Sequence, residues 1–128
     1  MNRKAKILFI DPDEEIRDIL AKVLQSVPEF EIPIVTSLEE ASERLAQQGM
    51  DGVIVDGMFP VDRLLDFLSR IRTAYPHLPM VVLVVEVDMI VDERFKQALE
   101  LLRVRSVPKV GLFEETRLKE LLEWCYRH

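Results

Sequence analysis

Apolar residues along the chain follow two alternating rhythms. Short, nearly unbroken apolar runs occur at Ala5 to Ile10, Phe30 to Val35, Gly52 to Val55, Met80 to Val85 and Val104 to Val110, each of a length suited to a buried strand. Between them the apolar positions recur every third or fourth residue, as on one face of a helix. The first such segment carries Ile16, Ile19, Leu20, Val23, Leu24 and Val27, and the second opens on Ser37 with Glu40 three residues on, a capping-box pattern, and closes before Gly49. The third carries Leu64, Leu65, Phe67, Leu68 and Ile71 and closes before Pro76; the fourth carries Phe95, Leu99 and Leu102, the fifth Leu118, Leu121, Leu122 and Trp124. Five strand-then-helix units predict an α/β fold: a doubly wound, five-stranded parallel sheet with helices on both faces.

Proline placement orders the strands. A proline cannot donate to a central ladder and is confined to edges and bulges, and Pro33 and Pro108 fall in the second and fifth runs. Those two runs are therefore the edges, and right-handed crossovers then give the order 2-1-3-4-5. The topological switch point falls between strands 1 and 3, where ligands of open α/β sheets bind outside the carboxyl ends. Asp11, Asp56 and Lys109 stand at such ends. Two carboxylates and an ammonium are thus expected in one crevice, a site suited to a cation and a phosphoryl group.

Composition narrows the function. The chain has 128 residues, 48% of them apolar, enough for one domain with its own core. With 23 acidic and 17 basic residues the net charge is −6, which argues against direct binding to nucleic acid. The apolar runs at Ile7 to Ile10 and Leu78 to Val85 are too short for a signal-peptide core or a membrane span. Cys125, the lone cysteine, excludes an internal disulfide and suits a reducing compartment. A cytoplasmic location without membrane contact is expected. Cys125 itself and Trp124 read as core residues of the last helix.

In the order and spacing of several motifs the chain resembles the receiver domains of response regulators, the phosphoacceptor half of two-component signalling. The likeness rests on Ile7-Leu8-Phe9-Ile10-Asp11 leading into the first helix, Asp51-Gly52-Val53-Ile54-Val55-Asp56 followed by Met58-Phe59-Pro60, Arg70-Ile71-Arg72 ending the third helix, Pro79 before strand 4, and Lys109 closing strand 5. It spans the whole length and implies a flavodoxin-like (βα)5 fold. By this resemblance Asp56 is the phosphoacceptor, taking the group from a histidine kinase or phosphotransfer protein with help from Mg2+, and Lys109 contacts the phosphoryl oxygens. The metal ligands would be Asp11, Asp56 and the Met58 backbone carbonyl, with Asp13 one residue late for the usual second acid. A downstream protein or a second copy would dock on the helix 4, strand 5, helix 5 face. No turnover of an external substrate is implied. Because no further domain follows the fifth helix, the chain is expected to be a stand-alone regulator or a piece of a longer protein.

Several positions depart from that pattern. Pro12 stands where the family has its second acid, so metal binding is expected to be weak. Val84 replaces the hydroxyl residue that bonds the phosphoryl oxygen, and Ser106 the aromatic residue that moves with it; both halves of the usual switch are missing. A hydrogen bond to a charged acceptor contributes about 1.5 to 3 kcal/mol, and this one exists only in the phosphorylated state, so its loss removes much of the coupling. Val110 replaces a proline after Lys109, and Glu86 adds a carboxylate near the crevice. The stretch Val87-Asp88-Met89-Ile90-Val91 reads either as core beneath the fourth helix or as an exposed patch.

Other readings of the same residues remain. Asp11 as an N-cap, Pro12 at the first helical position and Glu14 completing a capping box would make the acids structural. A receiver-like module that is never phosphorylated and only binds partners fits Pro12, Val84 and Ser106. Asp11-Pro12-Asp13 matches the D-x-D of haloacid-dehalogenase-like phosphatases, with Asp11 as nucleophile and Asp13 as general acid, although Glu15 and the regular helix that follows suit that family poorly.

Overall fold

The computed structural model describes residues 4–85, 92–114 and 116–127. The N-terminal apolar run forms β1 (Ala5–Ile10), followed by α1 (Ile16–Leu24), two short strands β2 (Phe30–Glu31) and β3 (Ile34–Val35), and α2 (Leu38–Gln47). Then come β4 (Gly52–Asp56), α3 (Val61–Ala74), β5 (Met80–Val84), α4 (Glu93–Leu101), β6 (Val104–Pro108) and α5 (Arg117–Arg127). The sheet is parallel in the order β2-β1-β4-β5-β6, with β3 also on β1. This is the expected 2-1-3-4-5 order with its second strand in two pieces. The break falls at Ile32-Pro33, where the proline has no N–H to offer, although its carbonyl still accepts from Phe9 N–H at 2.9 Å.

Side chains alternate across the sheet into two cores. Leu8, Ile10, Val53, Val55, Met80 and Val82 face α2, α3 and α4, whereas Ile7, Phe9, Ile54, Val81 and Leu83 face α1 and α5. β1, β4 and β5 are covered on both sides, which is why their sequences are continuous rather than alternating. Edge strand β6 is mostly exposed. Gly52, at the start of β4, lets α5 pack close: a Cβ there would lie 2.9 Å from Cys125 Cβ.

Some boundaries differ from expectation. The second helix begins as the pattern predicts, with Ser37 Oγ accepting from Glu40 N–H at 3.1 Å. The first begins only at Ile16, and Glu15 before it makes no side-chain cap; Asp11 is therefore not an N-cap, and the capping box through Glu14 does not form. Lys109 and Val110 lie beyond the last strand, which stops at Pro108. After them the chain turns at Gly111, whose φ of 77° suits a residue without a side chain, and Leu112 N–H donates to Lys109 O at 3.0 Å. Trp124 is only half-buried, with the Arg105 guanidinium 4.9 Å from its ring centroid. Glu86 and the stretch 87–91 lie outside the described residues.

Candidate functional site

The three residues at the strand ends meet. Asp11 follows the last residue of β1 and its N–H donates to Val35 O at 3.1 Å; Asp56 is the last residue of β4, level with Leu83 of β5. Lys109 follows β6 and its N–H donates to Val84 O at 3.0 Å. From there its ammonium reaches Asp11 Oδ2 at 3.0 Å and also donates to Asp56 Oδ2. Both carboxylates are fully buried, while the Lys109 side chain is 26% exposed. Lys109 is thus no loose surface lysine: it spans the topological switch point and ties three strands together.

The remaining carboxylate oxygens are used locally. Asp11 Oδ1 accepts from Asp13 N–H, and Asp56 Oδ1 from Met58 N–H, both at 2.8 Å. Each aspartate therefore folds the chain after its strand into a tight turn that keeps both acids at the crevice. The next acid does not join them. Asp13 is exposed, and its Oδ1 accepts from Glu15 N–H at 3.0 Å.

Two acids share one base, so one negative charge stays uncompensated in a buried place. Burial raises the Asp56 carboxyl above its ordinary value, and the Asp11 charge adds to the rise; hydrogen bonds from Lys109 and Met58 oppose it. Burial acts downward on the Lys109 ammonium, but the hydrogen bonds and charges of Asp56 and Asp11 outweigh it and hold the group above its usual range. Lys109 is firmly cationic at neutral pH.

The donor chemistry fits a magnesium ion in minimal form. Such an ion takes hard oxygens and is usually held by one or two carboxylates together with waters and substrate oxygens, which Asp11 and Asp56 satisfy. Among the described residues no group of three or more His, Cys, Asp or Glu side chains is placed around a common cation position. Pro12 removes one acid, and the Glu15 amide engages another. Met58 is exposed, and its amide N–H is the atom the structure ties to Asp56.

Val84 ends β5 nearly buried, in the same apolar cluster as Val82, Phe95 and Val104, and carries no hydroxyl. Ser106 lies on β6, level with Val82, on an exposed part of the strand. Sequence reasoning gave no weight to the charge of Arg72. Its guanidinium, nearly buried at the end of α3, donates to the carbonyls of Tyr75, Pro76, Leu78, Leu102 and Arg103. A basic residue on the same helical face as Leu68 and next to Ile71 was the available signal. This clamp lies at the opposite end of the sheet from the acids.

Comparison with known proteins agrees with this fold. The family model described as response regulator receiver domain matches residues 7–120. A curated relative, protein-glutamate methylesterase/protein-glutamine glutaminase 2 of Paramagnetospirillum magneticum, is 30% identical over 115 residues. That match takes in 86% of this chain but only 30% of the relative. Among solved structures, the chemotaxis response regulator CheY4 of Vibrio cholerae superposes with a TM-score of 0.74 at 24% identity, covering 94% of this chain and 98% of that one. Response regulator protein TrrA from Thermotoga maritima, in complex with Mg2+ and BeF, gives the same TM-score, identity and coverages. A signal receiver domain of an HD domain-containing protein from Pseudomonas fluorescens Pf-5 gives 0.77 at 22%, covering all of this chain and 90% of that one. Among the described residues no helix is long and apolar enough to cross a membrane.

Proposed function

The chain belongs to the response regulator receiver domain family, and from that premise we propose that Asp56 accepts a phosphoryl group from a phosphohistidine of a histidine kinase or phosphotransfer protein. The observation that carries the reading is the Lys109 ammonium bonded to both Asp11 and Asp56 at the ends of β1 and β4. It supplies a buried nucleophile, a second acid for a cation, and a fixed positive charge. Turnover on an external substrate is not part of this function.

In the reaction an Asp56 carboxylate oxygen forms a bond to phosphorus while the phosphorus–nitrogen bond of the donor breaks. The imidazole leaves with its electron pair and takes up a proton, and an acyl phosphate remains on Asp56. Lys109 holds positive charge where the phosphoryl oxygens arrive. The Met58 amide keeps the attacking carboxylate oriented. Asp11 would hold Mg2+ together with Asp56, and when bound that ion neutralises oxygen charge on the transferring group.

Val84 and Ser106 offer no matched hydroxyl and aromatic pair to turn the phosphorylated state into a rearrangement, so the output is expected to be muted. A downstream protein or a second copy would then read the α4, β6, α5 face with little change in its shape. The second reading, a module that works unphosphorylated, is favoured by the engagement of Asp13 with Glu15 N–H. Incubation with acetyl phosphate and Mg2+, followed by intact mass measurement, separates the two. One phosphoryl adduct, lost in Asp56→Asn, supports phosphoacceptance. No adduct, or one that persists in the variant, overturns it.

A further inference from the structure

A separate cavity of about 240 Å³ lies between α4 and the edge strand β6. Val84, Phe95, Leu99 and Val104, each at most 8% exposed, line it with carbon. Lys96, Glu100 and Ser106 also line it and bring its polar groups. Ser106 explains the space: its short side chain contributes to the same lining as Val104, whereas Arg105 and Val107 line a different groove together with α5 residues. A large side chain at position 106 would fill the gap.

We infer that this cavity is a binding site for a small neutral aromatic molecule carrying one hydrogen-bond donor, of the phenol or indole class. Size sets the first limit. Drug-sized ligands occupy about 300 to 1,000 Å³, while an apolar cavity of about 150 Å³ holds a benzene ring, so one ring or two fused rings fit here. Lining chemistry sets the second, because the carbon-lined part gives water few partners. Charge sets the third: the Lys96 ammonium lies 3.7 Å from Glu93, and the Glu100 carboxylate, unlike its backbone carbonyl, which accepts from Arg103 N–H at 3.1 Å, makes no hydrogen bond or ion pair among the described residues. The lining carries one charge of each sign and selects for neither, while Glu100 and the Ser106 hydroxyl offer acceptors to an O–H or N–H. Val84 contributes to the lining, and its carbonyl accepts the Lys109 N–H, so an occupant touches the residue that anchors the lysine of the acid site.

Two-dimensional NMR titration with indole, phenol and benzoate tests this. Indole and phenol should give saturable shifts centred on Val84, Leu99 and Ser106, with benzoate at least about tenfold weaker because the site neutralises no charge. Ser106→Phe should abolish the indole shifts, Ser106→Ala should retain binding within a few-fold, and thermal melts of both variants establish folding. Asp56→Asn should bind as the parent does, which separates this site from phosphoacceptance. Shifts that stay linear to the solubility limit overturn the assignment, as do shifts centred on Arg105 and Leu121, or undiminished binding to a folded Ser106→Phe. If Ser106→Phe does not fold, equal affinity for benzoate and phenol overturns it alone.

Discussion

The ammonium of Lys109 stands 3.0 Å from Asp11 Oδ2 and draws on Asp56 with the same nitrogen, across 98 residues of sequence in the first case and 53 in the second. Removing it leaves two buried carboxylates facing each other. Breaking a buried ion pair costs about 3 to 5 kcal/mol, and the partial exposure of Lys109 places Lys109→Ala near the low end, about 3 kcal/mol. Urea denaturation at pH 7 measures the loss. It should shrink toward acid pH, where the buried Asp56 carboxylate, raised above its ordinary value, takes up a proton. In the parent, the raised ammonium contributes stability that is fully present below its ordinary value of 10.5 and is lost as pH rises through the folded one.

Asp56→Asn should act in the opposite direction. The folded carboxyl lies above its ordinary value of 3.8, so its contribution is fully present below that pH and lost as pH rises through the folded value. An amide of the same shape is neutral throughout. Thermal melts should therefore show the stability of the variant relative to the parent higher at pH 7 than at pH 3. Equal gaps at both pH values would contradict a burial-driven rise.

Arg72→Leu is expected to cost about 3 kcal/mol by denaturant titration, because it strands carbonyls from the ends of α3 and α4 and from the entry to β5. Burial and the neighbouring Arg103 lower the Arg72 guanidinium, yet arginine stays protonated. Arg72→Lys keeps the charge but loses the planar fork and should recover less than half.

At Gly52 the limit is space. Gly52→Ala places a Cβ 2.9 Å from Cys125 Cβ and 3.2 Å from Ile7 Cδ1, and overpacking of this kind costs about 2 kcal/mol. Cys125→Ala keeps the offending carbon and should give no relief. Cys125→Gly removes it, and a double-mutant cycle should return a favourable coupling of about 1 kcal/mol.

The same packing silences the thiol. Burial pushes Cys125 up to about 12, so at pH 8 a disulfide reagent should modify it only through unfolding, and the labelling rate should follow the unfolding rate across urea concentrations. Modification of the native protein faster than unfolding would contradict that.

Much of this architecture was legible in the sequence because it rests on local rules. Unbroken apolar runs marked β1, β4 and β5 as buried on both faces, and Pro33 with Pro108 placed the edges. The convergence of Asp11, Asp56 and Lys109 followed from strand order alone. What sequence left open depended on where single groups turn. The start of the apolar stripe at Ile16 is the start of α1, and the alternative that makes Asp11 its N-cap fails because Asp11 and Asp13 bond amides two residues on, N–H groups that reading would place within a helix. Arg72 escaped notice because charge usually signals a surface. The cavity beside Ser106 is a volume enclosed by residues from three elements, which no local pattern encodes.

The position of β6 at the end of the sheet has a consequence for self-association. A parallel sheet with an open margin invites another chain to continue its ladder. Here that margin is short, ends on Pro108, which lacks an N–H, and displays Arg105 outward in contact with Trp124. Edge-to-edge growth into fibrils is thereby disfavoured. Two copies that meet at this margin would do so through side chains of α4, β6 and α5 rather than through a continued ladder, so that geometry can be specific and the association can be reversed.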